Sequence, residues 1–319
     1  MVNFARAASY CIGSLIFLSA CSTTLEVNQL RQSLDLSSYK RVEINDVPFY
    51  AQEEYQCGPA ALAMLLDWSG VSVTPQELVP LVYVPERQGS FQLEMVAATR
   101  FYNRIPYTLK PDFQSLIDEL EAGHPVLVFQ NLGLDWIPRW HYAVVYGIDL
   151  ANNEIILHSG TVERHVLALD TFERTWQRTD KWAMVLMPPD KLPASAEPLP
   201  YIKAISYFET NGKLELARQA YQAAVERWPE SLLTLMGMGN VNYRLQQLSQ
   251  AQQFYQKAIE INSEYAPAHN NLAQVLMEQG ELKLAREHAR AAVHLGGEHA
   301  ENYQDTLSQI NRRLTEPDN

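Results

Sequence analysis

One cysteine and one histidine in this 319-residue chain stand in contexts that favour nucleophilic chemistry. Cys57 opens the run CGPAALAMLL, which is typical of the first turns of an apolar helix. Unpaired N–H groups at a helix N-terminus stabilise an anion, so we expect a lowered pKa for this thiol. His141 opens the apolar run HYAVVYG and is the candidate base that takes the thiol proton and returns it. Gln52, five residues before Cys57, could donate its side-chain amide to a developing oxyanion.

These residues and their neighbours resemble a known family of enzymes. The pairing of CGPAAL at 57–62 with HYAVVYGID at 141–149 is similar to that of papain-like cysteine peptidases, and above all to the bacteriocin-processing (double-glycine) peptidases. The resemblance covers about residues 45–187. It implies an α+β papain-like domain that cleaves peptide bonds, with Cys57 as nucleophile, His141 as base and Gln52 as oxyanion donor.

Two positions depart from the family pattern. The family's Gln usually precedes the Cys by six residues, whereas Gln52 precedes Cys57 by five, so Gln56 is the alternative donor. The family also places an Asp about seventeen residues after the His, where this chain has His158 as a possible third member of the site. A neutral His or a Ser there would orient His141 but stabilise its charge less than a carboxylate, so we expect either slow catalysis or a site that rests on Cys57 and His141 alone.

Simpler interpretations of the same residues stay open at this stage. Cys57 could be a small buried hydrophobic residue, and His141 a core or edge histidine. Trp136, Pro138 and Trp140 could form a wall or lid beside the cleft, or pack against the core. The cysteine and histidines lack the close paired spacing of zinc ligands, so we expect no metal, and the resemblance implies no cofactor.

Helix signals precede strand signals in the segment that carries these residues. Thr74-Pro75-Gln76-Glu77 is a capping box with Pro at the first helical position. Asp112 caps a further helix that ends near Gly123, and an apolar strand follows at 125–129. The runs 141–147 and 154–158 then predict a β-hairpin. Helices followed by an antiparallel sheet indicate an α+β domain.

The first residues have the pattern of an export signal. Residues 1–20 carry Arg6, a short apolar run and small residues, and are too short for a comfortable transmembrane helix. The ending LSAC resembles the lipobox of bacterial lipoproteins, which implies acylation of Cys21 and a tether over 21–44. Ser22 after it favours the outer membrane, facing the periplasm; an uncleaved N-terminal anchor is the alternative. Cys57 then has no intramolecular disulfide partner.

A proline-rich segment separates the two halves of the chain. Residues 188–200 hold five prolines, which predicts a stiff, extended linker. Beyond it, Ala and Leu recur with a period of 34, as in Ala217, Ala251 and Ala285. The period matches tetratricopeptide repeats and predicts an all-α solenoid over 201–315, with three repeats and a capping helix. Such repeats form a concave groove that could hold a peptide or partner protein. The groove could be lined by four asparagines, or these could be ordinary solvated positions: Asn240, Asn242, Asn270 and Asn271.

Composition and motifs together suggest three functions. A net charge of −12 argues against nucleic-acid binding, since phosphate contacts need clustered Lys and Arg. The first hypothesis is a lipid-anchored periplasmic cysteine peptidase whose repeats recruit a protein substrate or partner, with the membrane reached through the lipid alone. The second is an inactive peptidase fold acting as an envelope scaffold. The third is a Cys-dependent acyltransferase or amidase, which shares the thioester intermediate.

Overall fold

The computed structural model describes residues 26–33, 41–52 and 56–315. The expected signal peptide, Cys21 and part of the expected tether lie outside these residues. In the described part, no helix is both long and apolar enough to span a bilayer.

The described residues of the N-terminal half form six α-helices, one 3₁₀ turn and seven strands. The helices are α1 Glu26–Ser33, α2 Cys57–Trp68, α3 Pro75–Val82, α4 Gln92–Phe101, α5 Phe113–Glu121 and α6 Leu169–Gln177. The strands are β1 Val42–Glu43, β2 Ile105–Thr108, β3 Val126–Asn131, β4 Trp140–Asp149, β5 Glu154–Ser159, β6 Val162–Ala168 and β7 Ala183–Met187. The 3₁₀ turn is Pro85–Arg87.

All seven strands belong to one antiparallel sheet. The strand order is β2-β7-β3-β4-β5-β6, and β1 pairs with the C-terminal part of β4. The expected hairpin is the β4–β5 pair, in which Val144 faces His158. Because neighbouring strands are antiparallel, the start of β4 lies beside the ends of β3 and β5. The candidate site lies at this end of the central strands.

Helices cover both faces of the sheet. On one face α2, α3 and α4 pack on Leu127 and Val144. On the other face α5 and α6 pack on Val126, Val128 and Val145. Alternating strand residues supply the two cores, as the two-residue period of a strand requires. The expected α+β class for this half is confirmed.

The helix starts follow the local signals in the sequence. Thr74 accepts from the N–H of Glu77, and Glu77 accepts from the N–H of Thr74, which completes the expected capping box of α3. Asp112 accepts from the N–H of Ser115 at 2.7 Å and begins α5, as expected.

The C-terminal half is a solenoid of helix pairs. Its helices are α7 Pro198–Thr210, α8 Leu214–Arg227, α9 Leu232–Arg244, α10 Leu248–Ile261, α11 Ala266–Glu278, α12 Leu282–Leu295 and α13 Ala300–Thr315. The repeated alanines Ala217, Ala251 and Ala285 are fully buried, because small residues let paired helices approach closely. The expected all-α repeat region with a closing helix, α13, is confirmed.

The proline-rich segment differs from the extended linker that the prolines predicted. It is held against the N-terminal half by the buried carboxylate of Glu119, which accepts from the N–H groups of Ala194 and Ser195 and from the Ser195 hydroxyl. The hydroxyl of Tyr107 accepts from the N–H of Glu197 at 3.1 Å. The first repeat helix therefore packs directly on the sheet, and its residue Tyr201 belongs to the same core as Tyr107.

Candidate functional site

A cleft of about 900 Å³ opens at the end of the sheet's central strands, where β4 begins. Cys57, His141 and Gln52 all line it. The structure thus brings together the three residues that the sequence assigned to nucleophile, base and oxyanion donor.

Cys57 is the first residue of α2, where the sequence placed it. Its thiol is largely enclosed, and burial raises its pKa above the ordinary value. The backbone N–H groups of Tyr142 and Gly58 lower this pKa, but by less than burial raises it. The expected lowered pKa is therefore wrong for this structure: loss of water outweighs the helix terminus, and the thiol at rest is neutral.

The turn that presents the thiol is closely packed on Ser90. A Cβ added to Gly58 would lie 2.3 Å from Ser90 Oγ and 2.7 Å from Ser90 Cβ, so no larger residue fits at Gly58 without a shift. Ser90 Oγ is buried and has no hydrogen-bond partner in the described part of the chain. Ser90 also lines the cleft, and its carbonyl accepts from the hydroxyl of Tyr142.

His141 is held from the end of β5. Its Nε2 lies 2.9 Å from the hydroxyl oxygen of Ser159, and its Nδ1 makes no hydrogen bond to any described residue. Burial lowers the pKa of His141 to about 4, and the positive charge of Arg139 and the proximity of His165 add to this effect. The ring is therefore neutral at pH 7, with a nitrogen available to accept a proton.

His158 is not the third member of the site. Its ring nitrogens face two backbone carbonyls, those of Glu163 and, at 3.1 Å, Val47. The strand register explains this result. His158 pairs with Val144, and residues paired across strands share a face, so His158 lies on the sheet face opposite to that of His141. Ser159, the next residue, takes the place expected for the third member.

Gln52 is placed beside the end of β5 by a backbone hydrogen bond. Its N–H donates to the carbonyl of Gly160 at 3.2 Å, and its side-chain Nε2 lies against Gly160. Gln52 lines the cleft, whereas Gln56 does not; Gln56 directly precedes α2. The geometry therefore favours Gln52 over the alternative donor.

Aromatic side chains and arginines form the walls of the cleft. Phe129 stacks on Trp140 with ring centroids 5.5 Å apart, and both line the cleft. Arg87 and Arg139 line it too, and neither forms an ion pair with any described residue. Pro138 also belongs to the wall, as one sequence interpretation suggested, while Trp136 projects into solvent.

The arrangement can support general-base chemistry on a thiol. No hydrogen bond joins the thiol of Cys57 to His141 within the described residues, and both groups are neutral at rest. Hydrogen bonds between catalytic groups are often long in a free enzyme and tighten when substrate binds. Proton transfer from thiol to imidazole is therefore expected during attack and not before it.

Among the residues that the structure describes, no group of three or more His, Cys, Asp or Glu side chains is placed to hold a metal ion.

The asparagines of the repeats lie in two different settings. Asn242 and Asn270 are buried, and Asn242 donates to the carbonyl of Met238 at 2.7 Å. Asn240 and Asn271 are half-buried and bonded to each other, with Nδ2 of Asn271 3.0 Å from Oδ1 of Asn240. Asn240 and Asn271 are therefore the more exposed of the two pairs.

Two features of the site were missed at the level of sequence. The sequence does not single out Ser159, because only the strand register shows that Ser159 and not His158 lies beside His141. The effect of Arg139 on His141 could have been suspected, because the two residues are close in sequence at the start of β4.

Models of known protein families match the two halves of the chain separately, with the same division that the fold shows. Residues 44–184 match the Peptidase_C39 like family, residues 201–231 match the Tetratricopeptide repeat, and residues 239–280 match the TPR repeat. The chain has no match among curated proteins.

Solved structures that resemble the chain are tetratricopeptide-repeat proteins. One is the first repeat domain of Spaghetti (RPAP3) bound to an HSP90 peptide, with 16% identity over 37% of this chain and 93% of that chain, and a TM-score of 0.35. Another is the Yersinia enterocolitica type III secretion translocator chaperone SycD, with 17% identity over 36% of this chain and 83% of that chain, and a TM-score of 0.34.

Proposed function

Because this chain joins a Peptidase_C39-like domain to tetratricopeptide repeats, we propose that it is a cysteine peptidase of the bacterial envelope. The observation that carries this proposal is the convergence of Cys57, His141 and Gln52 on one cleft. The lipobox-like LSAC at 18–21 supports a lipid anchor on Cys21, and Ser22 after it supports a place at the outer membrane, facing the periplasm. The lipid would be the anchor to the membrane, without a spanning helix.

The catalytic cycle begins from neutral groups. Sγ of Cys57 attacks the substrate carbonyl as its proton moves to Nδ1 of His141, and the side-chain amide of Gln52 donates to the new oxyanion. When the tetrahedral species collapses, the C–N bond breaks and the leaving amine takes the proton from His141. Water then attacks the thioester, with His141 taking a proton from the water and returning it to the departing thiolate.

Ser159 supports this cycle by fixing the ring of His141. If Nε2 carries its proton toward the hydroxyl, Nδ1 is left unprotonated, which is the tautomer that a base requires. A hydroxyl has no charge to stabilise the imidazolium that forms later. We therefore propose a slow peptidase in which orientation is retained and charge stabilisation by a third residue is weak.

The repeats supply the binding function of the protein. We assign them the recruitment of a protein substrate or partner through their concave groove, where Asn240 and Asn271 present amides. Helix α7 is fixed to the sheet through the core that contains Tyr201, so a protein held by the repeats stays at a defined position relative to the cleft.

An inactive envelope scaffold is the second candidate. Two observations favour it: a hydroxyl stands in place of a carboxylate beside His141, and burial raises the pKa of the Cys57 thiol. A scaffold would need the fold and the groove but not the thiol.

Covalent labelling separates the two candidates. The chain from residue 22 onward is treated with a peptide carrying a thiol-reactive acyl group, beside Cys57→Ala and His141→Ala. The peptidase proposal predicts an adduct on Cys57 that depends on His141. A reduced and accessible Cys57 that stays unlabelled contradicts it and favours the scaffold. In cells, the scaffold would be excluded if the Cys57→Ala protein folds and binds its partner normally but no longer supports the protein's cellular role.

A further inference from the structure

The loop between β3 and β4 exposes large apolar side chains that no core uses. We call residues 132–140 the apolar hairpin. Leu134 is 52% exposed, Trp136 76% and Ile137 57%. None of these three lines the cleft, although Leu132, Pro138 and Trp140 of the same loop do. Contiguous exposed apolar surface of this kind marks an interaction site.

The apolar hairpin is built as a rigid structure. Leu134 and Ile137 form a two-way backbone bridge, each N–H donating to the other's carbonyl at 3.1 Å. Oδ1 of Asn131 accepts from the N–H groups of Gly133 and Arg139, both at 2.9 Å. The fold therefore holds these side chains in water in a fixed arrangement.

The position of the apolar hairpin relative to α1 identifies its partner. The guanidinium of Arg178 donates to the carbonyl of Gly133 and lies 3.6 Å from the carboxylate of Asp135. Three residues later, Lys181 pairs with Glu26, the first residue of α1. The carboxylate of Glu26 also accepts from the N–H of Phe113, just after β2. At the start of β7, Met184 pairs with Thr108 at the end of β2, and Ala183 pairs with Val128 in the middle of β3. Because β3 continues from there to Asn131, α1 begins at the same end of these strands as the apolar hairpin.

From this juxtaposition we infer that the apolar hairpin inserts into the lipid surface next to the N-terminal anchor. The inference goes beyond the proposed peptidase function and uses the proposed anchor on Cys21 only to choose lipid as the partner. Cys21 lies five residues before Glu26, and five residues span at most about 17 Å. An acylated Cys21 therefore holds this end of the strands near the bilayer.

The chemistry of the apolar hairpin fits the bilayer interface. Trp is favoured where an apolar body meets polar headgroups, and Leu and Ile add buried apolar area. The acidic side chain at its tip, Asp135, is offset by Arg178. Arg174 lines the same surface depression as Asp135 and Arg178, and it and Arg139 offer positive charge to anionic headgroups. Because the same loop lines the cleft, insertion places the mouth of the cleft at the membrane surface.

Vesicle flotation tests the inference without the lipid anchor or any peptidase activity. The protein is the chain from residue 22 onward, which contains every described residue and no acyl group. Vesicles contain phosphatidylethanolamine and phosphatidylglycerol. The double variant Trp136→Ser, Ile137→Ser is compared with Ile261→Ser, Leu284→Ser, which changes similar exposed apolar residues on the repeats. All changes are at exposed positions, so each variant is expected to fold.

We expect the unchanged chain to float with the vesicles and the hairpin variant to lose about tenfold in partitioning, as loss of buried apolar area requires. The repeat variant should partition like the unchanged chain. Equal partitioning of all three proteins, or no binding by the unchanged chain, overturns the inference. Concentration-dependent self-association without vesicle binding also overturns it, and assigns the apolar hairpin to a second copy of the chain.

Discussion

Nε2 of His141 lies 2.9 Å from the hydroxyl oxygen of Ser159, at the place where a carboxylate would complete a three-residue catalytic site. The hydroxyl fixes the ring without adding negative charge. Burial and Arg139 meanwhile lower the pKa of His141 to about 4. The contact orients the base, and burial with Arg139 keeps it neutral, so the site must form its charges during the reaction.

Restoring a carboxylate at Ser159 should strengthen the base. Ser159→Asp places a negative charge next to Nε2, so the pKa of His141 should rise and kcat/KM near neutral pH should increase about tenfold. Ser159→Ala should instead lower kcat/KM about tenfold, because the hydrogen bond that orients the ring is lost. The pH dependence of kcat/KM checks both variants. Unchanged rates and an unchanged acid limb in both would show that Ser159 does not act on His141.

Burial sets the low pKa of His141, and the positive charge of Arg139 should move the acid limit of activity to a still lower pH. A base must be deprotonated to work, so activity is expected to fall as pH drops through the His141 pKa of about 4. Arg139→Gln removes a repelling charge, so the pKa should rise and activity should fail at a higher pH. Arg174→Gln changes an exposed arginine outside the cleft. It is the control and should leave the acid limb of the pH–activity profile unchanged. If the acid limb falls at the same pH in all three proteins, Arg139 does not lower the pKa of His141.

Gln52 should act on the transition state. Gln52→Ala is expected to lower kcat by about 10²-fold or more with little change in KM, because the amide contacts an oxyanion that forms only during attack. Gln56→Ala, which changes a residue outside the cleft, should have a small effect on kcat. The reverse ranking in steady-state kinetics would assign the donor role to Gln56.

The packing of Gly58 on Ser90 gives a prediction about stability. Gly58→Ala should lower the free energy of unfolding by about 1–3 kcal/mol, because its Cβ would overlap Ser90. Ser90→Gly removes the clashing atoms. In that background Gly58→Ala should cost less or become stabilising, since Ala favours a helix over Gly by about 1 kcal/mol. Urea unfolding of the four proteins measures the coupling, and additive effects would contradict the clash.

The fold and most of the cleft could be predicted from the sequence because they depend on local signals. The capping box at Thr74, the Asp112 cap and the repeated alanines are each readable within a few residues or one period. The pairing of Cys57 with His141 is proposed from their positions at a helix start and a strand start, and the resemblance adds the long-range information that local patterns lack.

The parts that sequence could not give depend on register and burial. Counting residues selected His158 as the third member, but pairing with Val144 turns its side chain to the other face and brings Ser159 to His141. The thiol pKa was expected to fall from the helix terminus alone. Its actual direction is set by how much water the surrounding side chains exclude, which a motif does not encode.

The most direct test of the central claim is the rate of Cys57 acylation by a peptide-like electrophile as a function of pH, with and without His141→Ala. We expect a rate that rises as pH passes about 4 and stays level through neutral pH, because neutral His141 takes the thiol proton during attack. In His141→Ala this plateau should vanish, leaving only a rise at alkaline pH as the thiolate forms. A neutral-pH rate that is the same in both proteins would contradict the claim that Cys57 and His141 act as a catalytic pair.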